Sequence, residues 1–407
     1  MTTTRTRTTA RAWWVVAATA VVIMTAGATT TMSGRLVAPL HDEFGWTHGA
    51  IGVAVSLNMV LYGVTSPFAV AWMDRFGIRP VVLPALLLIA VGTAGTAFMA
   101  DTWQFTLLWG LCVGLGTGSL SMVFAALIAG RWFTERRGLV TGLLTASSVL
   151  GQFAFLPALS WLADHQGWRA PMIVLAAAAA VAALCALALL RDHPPGVHPE
   201  PVPGALTRAV RVLFAAGRTL PFWLLAGMFA ICGATTNGLM WSHFTPAAHD
   251  HGMALTTASS LLALIGFFNV AGTVSAGWLI DNVDPRLVLS VCFGLRAGTL
   301  FLLPVLLTSH VSVPLVAFVV AFGVLDVATV PPTIAICREF YGEDGAIVFG
   351  WVNGAHQIGA GLMAVSGAVV RDSSGSYDPV WIGAGVLCVV AAVVSRRIGS
   401  STTSQRT

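Results

Sequence analysis

Runs of about 20 apolar residues recur twelve times along this chain, at about 15–38, 49–73, 80–99, 103–129, 139–163, 171–190, 221–245, 255–280, 287–307, 312–335, 345–369 and 379–396. A run of that length is what an α-helix needs to cross the hydrocarbon core of a bilayer. No water is present there to satisfy backbone N–H and C=O groups, so each run must close its own hydrogen bonds as a helix. Charged residues are 9% of the 407, against about 25% in soluble domains. The expected fold class is therefore an all-α integral membrane protein. The first run is too long for a signal peptide, lacks a clear small-residue cleavage site and precedes eleven more, so it is expected to be retained.

All 21 basic residues are Arg. With the N-terminus placed inside, 17 of them fall on cytoplasmic segments, three (Arg35, Arg169, Arg371) near the outer face and one, Arg296, within a span. Cytoplasmic loops carry such an excess, so both termini are expected in the cytoplasm of a cell whose cytoplasmic membrane holds the protein. The same bias explains the net charge of +4, and no nucleic-acid partner is implied. The six cysteines show no paired spacing, so neither disulfides nor a metal site is expected.

The longest polar interruption, about 191–220, contains Pro194, Pro195, Pro199, Pro201 and Pro203 and divides the spans six and six. Domains are expected at 1–190 and 221–407, with 191–220 as a cytoplasmic linker. The halves repeat. Asp74 and Arg79 in "WMDRFGIRPVVL" meet Asp281 and Arg286 in "WLIDNVDPRLVL" 207 residues later, and Arg131, Phe133 and Gly138 meet Arg338, Phe340 and Gly345 at the same offset. "GATT" at 27–30 recurs at 233–236, the same mid-helix position of spans 1 and 7.

The loop "DRFGIR" after span 2, with its echo "DNVDPR" after span 8, resembles the signature loop of the major facilitator superfamily, and span count, loop sizes and the half-way linker agree over essentially the whole chain. "PLHDEFGW", "RWFTERRGLVTG" and "GWR" resemble its branch of oxalate/formate antiporters and monocarboxylate porters. The resemblance implies two six-helix pseudo-repeat bundles, a midplane substrate site reached by alternating access, and a gating latch at Asp74, Arg75, Gly77, Arg79, Asp281 and Arg286. Gly77 suits a left-handed helix end; Asp74 can pair with an arginine or a helix N-terminus. Val70 stands where the family usually has glycine, whereas Gly277 keeps it.

An ionisable group in hydrocarbon is a functional candidate by default. Arg296 and Asp326 lie about 14 Å deep on consecutive spans, so a salt bridge is expected, either static behind the cavity wall or released when Asp326 takes a proton. His356 and Gln357 lie at comparable depth on span 11, where an imidazole can titrate or bridge helices. Thr29, Thr30, Thr235, Thr236 and Asn237 offer small polar groups on spans 1 and 7 for substrate, or merely bond back to their own helix. Arg35 and His243 sit near the outer ends of spans 1 and 7. Asn58, Tyr62, Trp109, Gln152 and Trp241 complete the candidate binding residues.

The chain departs from the monocarboxylate branch in span 8, where Asn269 and Thr273 stand in place of an Asp and an Arg, and in span 4, where Trp109-Gly110 replaces an arginine. No nucleotide-binding loop appears, so an ion or substrate gradient must drive transport, and no cofactor is expected. The expected function is secondary transport of a small organic solute, an organic anion favoured, coupled to protons through Asp326 or His356. The alternative is an exporter of drugs or secondary metabolites. A non-transporting sensor, which would usually append a soluble signalling domain, is disfavoured, and so is an intramembrane enzyme, because no convergent catalytic groups share one depth. A monomer suffices for such a mechanism.

Overall fold

The computed structural model describes residues 2–32, 35–194 and 204–399; Pro195, Pro199, Pro201 and Pro203 of the linker lie outside them. The chain forms two compact units, Met1–Val212 and Leu213–Thr407. Among the described residues, ten helical stretches are long and apolar enough to cross a membrane. Their number reconciles with twelve spans. The 59-residue stretch Val313–Arg371 contains the tenth and eleventh together, and the fifth is split into two shorter helices.

In the first unit the helices are α1 (Thr2–Thr31), α2 (Val37–Phe44), α3 (His48–Phe76), α4 (Arg79–Ala97), α5 (Thr102–Phe105), a π-helical segment (Thr106–Val113), α6 (Gly114–Ser119), α7 (Met122–Trp132), α8 (Arg137–Ala154), α9 (Leu156–Gln166), α10 (Arg169–Leu189) and α11 (Ala205–Ala216). The first span ends at Thr31, short of the expected residue 38, and Arg35 is exposed beyond it. The fifth span breaks at Phe155, between α8 and α9. Pro157, in the first turn of α9, explains the break, since it lacks the N–H that would bond back one turn.

The second unit runs α12 (Leu220–Gly233), a π-helical segment (Ala234–Met240), α13 (Trp241–Asp250), α14 (Leu255–Leu279), α15 (Pro285–Leu306), α16 (Val313–Asp326), α17 (Val330–Tyr341), α18 (Gly345–Ser374) and α19 (Asp378–Arg397). Side chains start several of these helices: Asp284 accepts from the Arg286 N–H at 2.9 Å and Ser312 from the Leu315 N–H at 3.3 Å, satisfying donors that helix geometry leaves orphaned.

The sequence repeat has a packing counterpart. In the first unit a Cβ at Gly27 of α1 would overlap the carbonyl oxygen of Ser148 on α8, and one at Gly151 of α8 would overlap that of Met24 on α1. The second unit repeats this pair of contacts, Gly233 of α12 lying on the His356 carbonyl of α18 and Gly359 of α18 on that of Ala230. The equivalent positions are 206 or 208 residues apart. Both "GATT" glycines are thus points of backbone contact, where only a missing side chain lets two membrane helices approach so closely.

A second shared feature is an interruption in the middle of a span. Helix α6 ends at Ser119 and α7 begins at Met122; α16 ends at Asp326 and α17 begins at Val330. Ser119 and Asp326 are 207 residues apart. The first break is steadied by Ser66 of α3, whose hydroxyl donates to the Gly118 carbonyl at 3.1 Å and lies 2.9 Å from Ser121 Oγ. In the second, Pro331 and Pro332 at the start of α17 prevent a continuous helix, and charged groups steady the end.

Candidate functional site

The break after α16 leaves the last carbonyls of a half-helix inside the unit, at the negative end of its dipole. Arg296 of α15, fully buried, meets them. Its Nη2 donates to the carbonyl oxygens of Leu325 at 2.5 Å and Asp326 at 2.6 Å, and its Nη1 reaches Thr235 Oγ1 at 3.4 Å and Cys232 Sγ at 3.5 Å. The guanidinium also lies over the Phe293 ring, 5.3 Å from its centroid.

The expected salt bridge therefore needs correction. Arg296 caps the main chain at Asp326, not its carboxylate. Oδ2 of Asp326 accepts instead from Asn269 Nδ2 of α14 at 2.9 Å and from Trp241 Nε1 of α13 at 3.0 Å. Oδ1 of Asp326 is buried and makes no hydrogen bond among the described residues, and the same holds for Oδ1 of Asn269, Nε of Arg296 and Nδ1 of His356. Buried polar atoms left so are rare, and each calls for an explanation. The physical reason for the arrangement is the half-helix end: its last carbonyls have no helical donor, and Nη2 of Arg296 supplies hydrogens to two of them at the negative end of the dipole.

Beyond Arg296 the polar chain continues. Cys232 Sγ lies 3.2 Å from Thr329 Oγ1. His356 packs against the Phe229 ring at 4.9 Å, and its Nε2 takes the Asn237 amide at 3.5 Å. Asn237 is exposed and sits in the π-helical segment, a form common at functional positions. Of the residues expected from sequence, Asn237, Trp241, Arg296, Asp326 and His356 are gathered here, with Gln357 half-buried beside His356. Asn269 and Cys232 were not among the candidates. Asn269 was legible as a lone amide in an apolar span; Cys232 carried no signal, because nothing in its spacing relates it to Arg296.

The other candidates are bonded to helices of their own unit. Thr30 and Thr236 donate to the carbonyls of Gly27 and Cys232 within their own helices. Asn58 Nδ2 donates to the Trp109 carbonyl at 2.8 Å, joining α3 to the π-helical segment, and Trp109 is fully buried and stacked on Phe105. Gln152 bonds Ser148 Oγ at 3.5 Å, and the Tyr62 main chain packs on Gly118. His243 is buried, its Nε2 3.0 Å from the Ala364 carbonyl and its ring 5.2 Å from that of Tyr377.

At the signature loop Asp74 binds two arginines, Arg131 at 2.6 Å and Arg208 of α11 at 2.5 Å. Arg75 lies over Phe76, and Arg79 Nη2 donates to the Leu187 carbonyl at 2.5 Å. Gly77 has φ 94° and ψ 167°, a conformation that needs glycine but is not the left-handed helical one expected. A Cβ there would press on the carboxylate of Asp192, which accepts from the Ile78 N–H at the start of α4. In the second copy the counterpart of Arg79 is Arg286. That arginine binds Glu339 at 2.8 Å, Asp284 at 3.3 Å and the carbonyls of Ile398 and Gly399.

Comparison with known proteins agrees with this architecture. The sequence model of the Major Facilitator Superfamily matches residues 18–246 and 223–405. The chain is 26% identical over 345 residues to an uncharacterized MFS-type transporter, YcxA, of Bacillus subtilis (strain 168), covering 83% of each chain. It is 27% identical to monocarboxylate transporter 13 of Bos taurus, over 83% of this chain and 78% of that one. Among solved structures, the E. coli fucose:proton symporter FucP is similar in fold, with a TM-score of 0.75 at 15% identity over 95% of this chain and 98% of that one. The proton:xylose symporter XylE gives 0.72 at 14% identity over 96% of both.

Proposed function

The chain belongs to the major facilitator superfamily and is a secondary transporter of small solutes; from that premise we propose that it carries a small organic anion of the monocarboxylate kind together with a proton, Asp326 being the proton acceptor. The observation that carries this reading is the Asp326 carboxylate, buried with Oδ1 unpartnered while Arg296 is held on main-chain carbonyls. An ionised Asp326 balances the arginine. A protonated one leaves a single positive charge in a low-dielectric interior, where its attraction for an anion is many times that in water. Proton and anion then favour each other's binding, which is thermodynamic coupling.

His356 and exposed Asn237 extend the cluster toward accessible surface. The resemblance to monocarboxylate transporters supports the anion, since several such relatives match most of the chain. The departure in span 8 fits the same scheme: Asn269 stands where that branch has Asp, and it bonds an Asp supplied from α16. We place the protein in the cytoplasmic membrane with both termini inside, on the distribution of its arginines.

The test is uptake of a labelled monocarboxylate into proteoliposomes with and without an imposed inward proton gradient. Accumulation that follows the gradient in wild type and is abolished in Asp326→Asn supports the reading. Uptake indifferent to the gradient, or movement of bulky apolar compounds alone, overturns it in favour of uncoupled transport or drug export.

A further inference from the structure

The cluster contains two orphaned acceptors on side chains already bonded to each other. Asn269 Nδ2 donates to Asp326 Oδ2, yet Oδ1 of the amide and Oδ1 of the carboxyl are both buried and without a hydrogen bond among the described residues. Both side chains are about 1% exposed. A planar amide and a carboxylic acid can pair through two hydrogen bonds, the amide nitrogen donating to one carboxyl oxygen and the other carboxyl oxygen donating its proton to the amide carbonyl. We propose that the coupling proton resides on Oδ1 of Asp326 and is donated to the side-chain carbonyl of Asn269, closing an acid–amide pair in which Asn269 is the positioning residue for the proton. The proposal rests on the proton-coupled reading and names the second partner in it.

One proton satisfies both orphaned oxygens at once. Without it, both acceptors remain buried and without a hydrogen bond among the described residues, an arrangement that costs free energy on both sides. The two donors to the carboxyl, Asn269 Nδ2 and Trp241 Nε1, both fall on Oδ2, which leaves Oδ1 as the basic oxygen. The charged and titratable groups around Asp326 are Arg296 of α15 and His356 of α18, and beyond Arg296 the thiols of Cys232 on α12, Cys292 on α15 and Cys388 on α19. None is a second carboxylate that would compete for the proton.

The same geometry selects a proton over sodium. Carbonyls at the end of a broken membrane helix are the ligands with which transporters hold a sodium ion. Here those of Leu325 and Asp326 are taken by Nη2 of Arg296. The arginine supplies the positive charge that the half-helix end requires, and what remains at Asp326 suits a single hydrogen.

The experiment is infrared difference spectroscopy of the full-length protein in liposomes, titrated with pH, following the carbonyl stretch of a protonated carboxylic acid. The band is expected in wild type and absent in Asp326→Asn, which assigns it. In Asn269→Leu its midpoint is expected to move by less than about tenfold in proton affinity, because the variant loses the donor to the ionised form and the acceptor of the acid together. A rise of more than about tenfold overturns the proposal, because it would make Asn269 only a donor to the ionised form. Should Asn269→Leu not fold, Asp326→Asn decides. Its new amide can donate to Asn269 Oδ1 as the acid does, so it is expected to melt at the temperature of acid-form wild type and independently of pH between 5 and 8. Melting below wild type at every pH overturns the proposal. Proteoliposome uptake separates this from the functional reading: a band that behaves as expected with uptake blind to pH sinks the coupling alone, and pH-driven uptake with the midpoint raised beyond that limit in Asn269→Leu sinks the pair alone.

Discussion

Arg296 Nη2 donates to the main-chain carbonyl of Asp326 at 2.6 Å, while the Asp326 side chain takes its hydrogen bonds from Asn269 and Trp241. The two charges are neighbours without being a side-chain pair. Exchanging them is therefore expected to fail. Arg296→Asp with Asp326→Arg restores the charges but places a carboxylate, which has no donor, against carbonyls that need one. We expect the swapped protein to be destabilised by at least about 3 kcal/mol, as when a buried charge loses its partner. Thermal unfolding in detergent checks this, and a swapped protein that melts with wild type would mean a direct ion pair governs.

The reciprocal glycines give a prediction about packing. Gly233→Ala and Gly359→Ala push a methyl into main-chain carbonyls, which cannot rotate aside as a side chain can. The helices must separate, at a cost of about 1–3 kcal/mol each. Gly27→Ala and Gly151→Ala should cost the same in the other unit, because the contacts are equivalent. Gly294→Ala, with nothing within 4 Å of its added carbon, should leave the melting temperature within error. Equal effects at all five positions would remove the close-approach argument.

Much of this was legible in the sequence because membrane burial writes itself in runs of apolar residues, and the duplication wrote itself twice. The offset of 207 residues that joins Asp74 to Asp281 also joins the helix ends at Ser119 and Asp326. Partnerships were not legible. Equal depth of Arg296 and Asp326 suggested a bridge, but depth says nothing of rotation about the helix axis, and the break after Asp326 reoriented both main chain and carboxylate. Pro331 and Pro332 held the signal for that break. The partners of Arg286 were not legible either: Glu339 lies 53 residues away along the chain and carried no signal relating it to that loop.

At the signature loop, Asp74 spends both oxygens, Oδ1 on Arg131 and Oδ2 on Arg208. Arg208 belongs to α11 within the linker, so one carboxylate ties the linker helix to the end of α3 and to α7. All three side chains are mostly buried, and a charge-assisted hydrogen bond in that setting contributes about 1.5–3 kcal/mol. A double-mutant cycle of Asp74→Asn with Arg208→Gln should show coupling in that range, and Arg131→Gln should couple to Asp74 likewise. Strict additivity would mean that Asp74 does not hold α11.

Glu43 lies at the other end of the same unit, on the short helix α2. Its carboxylate accepts from both Arg169 terminal nitrogens at 2.6 and 2.9 Å and from Trp168 Nε1 at 2.7 Å. The Arg169 hydrogen bonds, and then that of Trp168, hold its carboxyl below the usual carboxylate range. A group depressed in this way stabilises the folded form above its unfolded pKa of about 4.3, and that contribution is lost as pH falls through the lower folded value. Wild type should therefore melt above Glu43→Gln by a constant margin from pH 8 to 5, and the margin should close below about pH 4. The pair is about 40–45% exposed, so added salt should narrow the margin as well. A margin that persists at pH 3 would show that the carboxyl shape, and not its charge, anchors α2 to Arg169.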